Sequence, residues 1–253
     1  MEKHRNFISK YNIKMTRIVA ALLGVVAYVL NIRFLTRASA VPCILDGVRI
    51  NMYMSNIIIL FIIISFWHMH IAKDDFASLI VVRYHNRTEI WLKQCKRITV
   101  SCAVFSLYIE MIGIISGIQY SSVLLNWDKS NSYFSIATQM ISSVKSWQVI
   151  IGSFVNVWIS MTIVMIFIIG SYWLFNTYMW GMCIFVATSF VDAWTMLGPV
   201  FLKRIIVNSA DWCNLNTVVI KMICLTVIAI LVVFAGCFIS RRKEFIGNNA
   251  ERK

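Results

Sequence analysis

SLIVVRYHNRTEIWL, residues 78–92, is the main charged break between long apolar runs in this chain. Its apolar residues Leu79, Ile80, Val82, Ile90, Trp91 and Leu92 flank a polar centre of Arg83, Tyr84, His85, Asn86 and Arg87. An amphipathic, basic and aromatic segment between two membrane spans lies on the membrane surface or docks on a soluble partner. The sequence on either side is apolar for long enough to cross a bilayer. The reading of this break therefore sets the count and the orientation of the spans.

The composition points the same way. Of 253 residues, 59% are hydrophobic and 14% charged, against about 25% charged in a soluble domain. The mean hydropathy is +0.74. Charge is gathered into a few blocks, as in an integral membrane protein. In a soluble protein a net charge of +13 would suggest nucleic acid. Here the positive-inside rule accounts for it, and nucleic-acid binding is set aside.

A spanning helix needs about 20 mostly apolar residues, and six segments qualify. They are residues 16–34, 50–67, 98–120, 147–169, 173–197 and 217–240. The fourth and fifth share one run in which Asp192 is the only formal charge between Lys145 and Lys203; a tight turn near Gly170–Thr177 divides it. The fold expected is all-α, one polytopic membrane domain over residues 1–253 without a soluble domain. The first apolar run is not followed by a small-residue cleavage site, so the first span is expected to insert as an uncleaved anchor.

Orientation follows from Lys and Arg. Lys3, Arg5, Lys10, Lys14 and Arg17 precede the first span. Lys73, Arg83, Arg87, Lys93, Lys96 and Arg97 lie between the second and third. Arg241, Arg242, Lys243, Arg252 and Lys253 follow the sixth. These are most of the 24 basic residues, and a six-span chain puts them all on one side. Both termini and the segment 78–92 are thus expected in the cytoplasm. Arg33, Arg37, Arg49, Lys203 and Arg204 fall in the opposite loops. Pro42 and Pro199 mark outer edges, and the half-apolar stretch after Gly198 reads as a helix in the outer interface.

Several residues are candidates for chemistry or packing. Glu110 lies inside the third span, where a carboxylate faces the bundle interior or water; it is a candidate for the substrate path. Asp192, near the outer end of the fifth span, is a second. Lys221, near the outer end of the sixth, reads as a snorkelling anchor. Gly113 and Gly117 form G-x-x-x-G, which lets helix backbones approach closely and points to helix packing or a subunit interface. His68 and His70 stand near Asp74 and Asp75, but histidines at i and i+2 face different sides of a helix. They read as interfacial residues, and no metal site is assigned. Trp67, Trp91, Trp127, Trp147, Trp173 and Trp212 fall near span ends, as in an aromatic belt. The seven cysteines form no C-x-x-C pair. Cys43 and Cys213 share the outer side, where a disulfide is allowed but spacing alone does not establish it.

Asn86-Arg87-Thr88 matches a glycosylation sequon, which its cytoplasmic placement discounts. The sequence contains no P-loop and no G-x-S-x-G nucleophile motif. A carboxylate-based intramembrane enzyme or an ion-coupled transporter using Glu110 stays open. So does a multispan receptor or scaffold.

The segment LIVVRYHNRTEIWLKQCKR, with six spans and a basic tail, resembles the permease subunits of bacterial ABC exporters of the type-2 fold. These include small permeases of bacteriocin and lantibiotic immunity or antimicrobial-peptide efflux. Arg83, Arg87 and Trp91 fall in the matching places, followed by Lys93, Lys96 and Arg97. Thr88 and Glu89 stand where basic residues are common. Arg241, Arg242, Lys243, Glu244 and Phe245 match the short tail of that family. The resemblance implies a multi-pass protein of the cell membrane with no cofactor of its own. ATP and Mg would be held by separate ABC ATPase subunits, and a second permease copy or a homologue would complete the pathway. Residues 78–92 would be a coupling helix, with Arg83, Tyr84, Arg87 and Trp91 meeting the ATPase. The substrate would be hydrophobic or amphipathic.

Overall fold

A computed structural model describes residues 2–36, 40–75, 86–194 and 206–242. Among them every regular element is helical: α1 (Glu2–Leu35), α2 (Ile44–Asn51), α3 (Met54–Asp75), α4 (Arg87–Ile118), α5 (Tyr133–Thr138), α6 (Ser146–Phe175), α7 (Met179–Trp194), a 3-10 turn (Ser209–Cys213) and α8 (Leu215–Arg242). Five of these, α1, α3, α4, α6 and α8, are long and apolar enough to cross a membrane. The first, fourth and sixth expected spans lie within α1, α6 and α8.

The fifth expected span, 173–197, is divided differently. Its first residues belong to α6, which continues to Phe175. Asn176 ends that helix in the left-handed region, with φ at 57°, a conformation asparagine accepts more readily than most side chains. The apolar helix that follows, Met179–Asp192, is shorter than the five long ones. The outer segment expected around Gly198–Asn208 is described only from Ile206 onward.

The second expected span, 50–67, is interrupted. Helix α2 stops at Asn51, and the apolar span proper is Ser55–Ala72 within α3. The break has a local cause. Met52 N–H and Tyr53 N–H donate to the carbonyls of Arg49 and Ile50, tightening the last turn. The Asn56 side chain then donates to the Ile50 carbonyl at 2.8 Å, so that buried acceptor keeps a partner across the break.

Helix α2 is the most enclosed element of the bundle, with Leu45 through Asn51 all buried. It packs along α4 where Gly113 and Gly117 leave room. A Cβ on Gly47 would collide with the Gly113 carbonyl oxygen, and one on Gly117 with the backbone of Ile44. The G-x-x-x-G pair thus seats a helix of the same chain.

A helix buried at its N-terminus must find partners for its first N–H groups. The loop 119–145 supplies them: Ile44 and Leu45 N–H donate to the Val123 and Leu124 carbonyls at 2.9 and 3.2 Å. Asn126 reaches the Val41 carbonyl. Ser142 donates to the Trp212 carbonyl at 2.7 Å, which ties this loop to the 3-10 turn. Together these segments cap one end of the bundle.

The tryptophans do not form the expected belt. Trp147 is exposed, but Trp67, Trp91, Trp127, Trp173 and Trp212 are all buried. Four of them staple one element to the next, while Trp212 Nε1 has no hydrogen-bond partner among the described residues. Trp67 donates to Thr16 on α1, Trp127 to Asp46 on α2, and Trp173 to Gln94 on α4. An indole N–H with a buried acceptor prefers the interior to the headgroup region.

Candidate functional site

Three groups of polar and aromatic side chains run from one end of the bundle to the other. The first lies at the start of α4. Asn86 caps this helix, its side chain accepting from Thr88 N–H at 3.2 Å, so the end of the segment 78–92 is the first turn of a 32-residue helix. Arg87 is half-buried there. Arg83 and Tyr84 lie outside the described residues.

Trp91 is only 1% exposed and inserts between α6 and α8. Its Nε1 donates to the Val233 carbonyl at 3.0 Å, and its ring meets Trp173 edge-on at 6.0 Å. Gly236 lies flat under the indole, where a Cβ would overlap the ring. Trp91 therefore holds α4 to its neighbours and offers no surface to a partner. The first turns of α4 keep Leu92, Lys93 and Lys96 exposed.

The second group lies along the contact of α4 with α6. Glu110 is 5% exposed, and among the described residues its Oε1 has no hydrogen-bond partner. The Ser106 and Ser160 hydroxyls are also buried without one. Ser153, on α6, lies near Glu110 across this contact. Its hydroxyl donates to the Val149 carbonyl at 2.6 Å. Ser106 and Glu110 are one turn apart on α4; Ser153, Asn156 and Ser160 share a face of α6. Asn156 accepts from Val207 N–H at 3.1 Å and holds that strand of chain inside the bundle. Asp192, on α7, is 1% exposed.

The third group, at the capped end, escaped the sequence reading. Arg49 had been counted as a loop charge, yet it has no exposure. Its Nη2 donates to Tyr53 Oη at 2.6 Å, and its Nε is 3.9 Å from Asp46 Oδ1. The guanidinium lies over the rings of Tyr133, Phe134 and Tyr53, at 4.9, 5.3 and 5.5 Å. Asp46 also accepts from Trp127 Nε1 at 3.0 Å and from Cys43 N–H at 2.8 Å. Burial raises the Asp46 carboxyl above its ordinary value, against the pull of Arg49 and these donors. Burial and the neighbouring Tyr53 push Tyr133 up to about 12. The readable signal was Asp46 and Arg49 at i and i+3 in a stretch otherwise apolar.

The remaining candidates resolve simply. Lys221 pairs with Asp211 at 2.6 Å and ties α8 to the 3-10 turn. Cys43 and Cys213 are both free thiols; burial pushes the Cys43 thiol up to about 12, which keeps it unreactive. His68 was expected at the membrane interface but is 3% exposed. It lies 3.3 Å from Ser101 Oγ and packs edge-on against Trp67. Among the described residues no cluster of His, Cys, Asp and Glu could hold a metal ion.

Compared with known proteins, the chain matches no family model, no curated protein and no solved structure.

Proposed function

We propose that this chain is the membrane-embedded permease subunit of an ABC exporter of the type-2 kind. It works with separate ATPase subunits and a second permease copy or homologue. In this reading the chain crosses the membrane six times, with α7 in the additional span. Both termini and the start of α4 face the cytoplasm, and the capped end faces outward. The distribution of Lys and Arg supports that orientation.

One observation carries the reading. Helix α4 runs unbroken from Arg87 to Ile118, and Trp91 joins its first turns to α6 and α8. A force applied to the first turns of α4 is delivered to the bundle through a packed connection. The exposed Lys93 and the half-buried Arg87 suit an acidic groove on an ATPase. ATP and Mg belong to that partner. The scarcity of formal charge within the spans favours a hydrophobic or amphipathic substrate, with Glu110 and Asp192 as candidates for the path.

Co-purification of the tagged chain with its ATPase tests this. Arg83→Glu and Arg87→Glu should each abolish association while membrane insertion is retained. Trp91→Ala, which alters only an internal contact, should keep the ATPase bound. Undiminished association in both arginine variants would end the reading.

A second reading, ion coupling at Glu110, is favoured by its buried Oε1, partnerless among the described residues. It requires transport that responds to a proton or sodium gradient without any ATPase, and that Glu110→Gln abolishes.

A further inference from the structure

We infer that the groove between α4, α6 and α8 is a binding site for an anionic phospholipid. One acyl chain lies in the groove, and the phosphate is held by Lys96 and Arg241. The groove has a volume of about 530 Å³ and is lined by Thr99, Trp158, Thr162, Thr226, Ala229 and Phe234, among others. That size falls within the ~300–1,000 Å³ of ordinary ligand pockets. All three helices are among those long and apolar enough to cross the membrane.

The lining asks for no hydrogen bonds. Thr99, Thr162 and Thr226 turn their hydroxyls back on the carbonyls of Cys95, Trp158 and Met222, at 2.8–2.9 Å. Trp158 Nε1 donates to the Thr99 carbonyl at 2.9 Å. An occupant with polar groups, such as a peptide backbone, would leave them unpaired at a cost. A hydrocarbon chain has none to lose. A helix of a second copy is a poor fit as well. Close helix approach in a membrane relies on small side chains, and Trp158, Ile230 and Phe234 crowd this rim.

The charge at one end selects the headgroup. Trp91 on α4 bonds to Val233 on α8, so the start of α4 and the end of α8 lie at the same end of the bundle. Lys96 precedes Thr99 by about one turn of α4. Arg241 follows Phe234 by seven residues, two turns along the same face of α8. Both are exposed, and the Arg241 guanidinium lies over Phe238 at 6.0 Å. Basic residues at the membrane surface attract anionic lipid by about 1 kcal/mol each.

The test is native mass spectrometry of the full chain in detergent with added phosphatidylglycerol or phosphatidylcholine of the same acyl composition. The expected result is retention of phosphatidylglycerol over phosphatidylcholine by about 30-fold, the equivalent of two basic residues at that strength. The surface variant Lys96→Gln/Arg241→Gln should bring the preference close to one. Ala229→Trp should lose retention of both lipids. Equal retention by the unsubstituted chain, or a preference that survives loss of both charges, would overturn the site. So would finding the chain dimeric in detergent, with Ala229→Trp dissociating the dimer and leaving lipid retention unchanged.

Discussion

Arg49 has no exposure, one neutral hydrogen-bond acceptor, one carboxylate and three aromatic rings around it. A charge taken out of water is tolerated only when it is paired, and removing one member of a buried pair typically costs ~3–5 kcal/mol. Arg49→Met leaves Asp46 buried with only the donors of Trp127 and Cys43. It should lower the unfolding midpoint in detergent by that order of free energy. Arg49→Met/Asp46→Asn removes both charges and should recover most of the loss, because similar-sized neutral replacements of a buried pair are often tolerated. If the double variant is no more stable than Arg49→Met, the pair is not what Arg49 contributes. The sequence could not show this burial. Orientation by charge counts Lys and Arg in loops, and Arg49 stands in a short stretch that reads equally well as loop or span. Glu110 was legible because it lies deep in an unambiguous apolar run; its neighbour Ser153 was not, since that contact depends on how α4 and α6 register.

At the scale of elements, α2 and the turn at Met52–Tyr53 divide what hydropathy alone joins. A hydropathy window measures length and apolar content. It does not see that Asn51, Tyr53 and Asn56 cluster at one point and that Asn56 bonds to the Ile50 carbonyl. The long spans were readable because each is a continuous apolar run. The interruption was not, because the polar end of α2 is satisfied only once Asn51 meets Asn31 on α1 and the Ile109 carbonyl on α4. The close approach of α2 and α4 makes Gly47 the sensitive position. Gly47→Val places two methyl groups against the Gly113 backbone and should unseat α2, destabilising the chain by ~2–4 kcal/mol in detergent, at the upper end of overpacking effects. Gly24→Ala is a fair comparison: it too sits at a helix contact, but its neighbour is the terminal hydroxyl of Tyr108, a side-chain end that can move. It should cost much less. Equal losses in the two variants would mean that the α2–α4 backbone contact is not specially tight.

At the scale of the whole molecule, the proposed transport requires the segment 78–92 and the far ends of α6 and α8 to move together. The contact that joins them is Trp91 over Gly236 and against Trp173. Sequence reading placed Trp91 on the outside because an aromatic beside basic residues resembles a docking knob. Its true direction depends on a glycine 145 positions away, and no local pattern encodes that pairing. The contact separates two roles that a coupling helix combines: binding the partner and passing its motion on. Gly236→Val drives the indole out of its seat. It should lower the unfolding midpoint yet leave co-purification with the ATPase intact, since Arg83, Arg87 and Lys93 are untouched. Trp91→Ala combined with Gly236→Val should be more stable than the two single effects added together, by ~0.5–3 kcal/mol, because the truncated side chain vacates the space the valine needs. Strict additivity would show that Trp91 and Gly236 do not share one site. Loss of the ATPase from Gly236→Val in a stably inserted chain would show that the seat of Trp91 belongs to the docking surface itself, and the division between docking and transmission would fall.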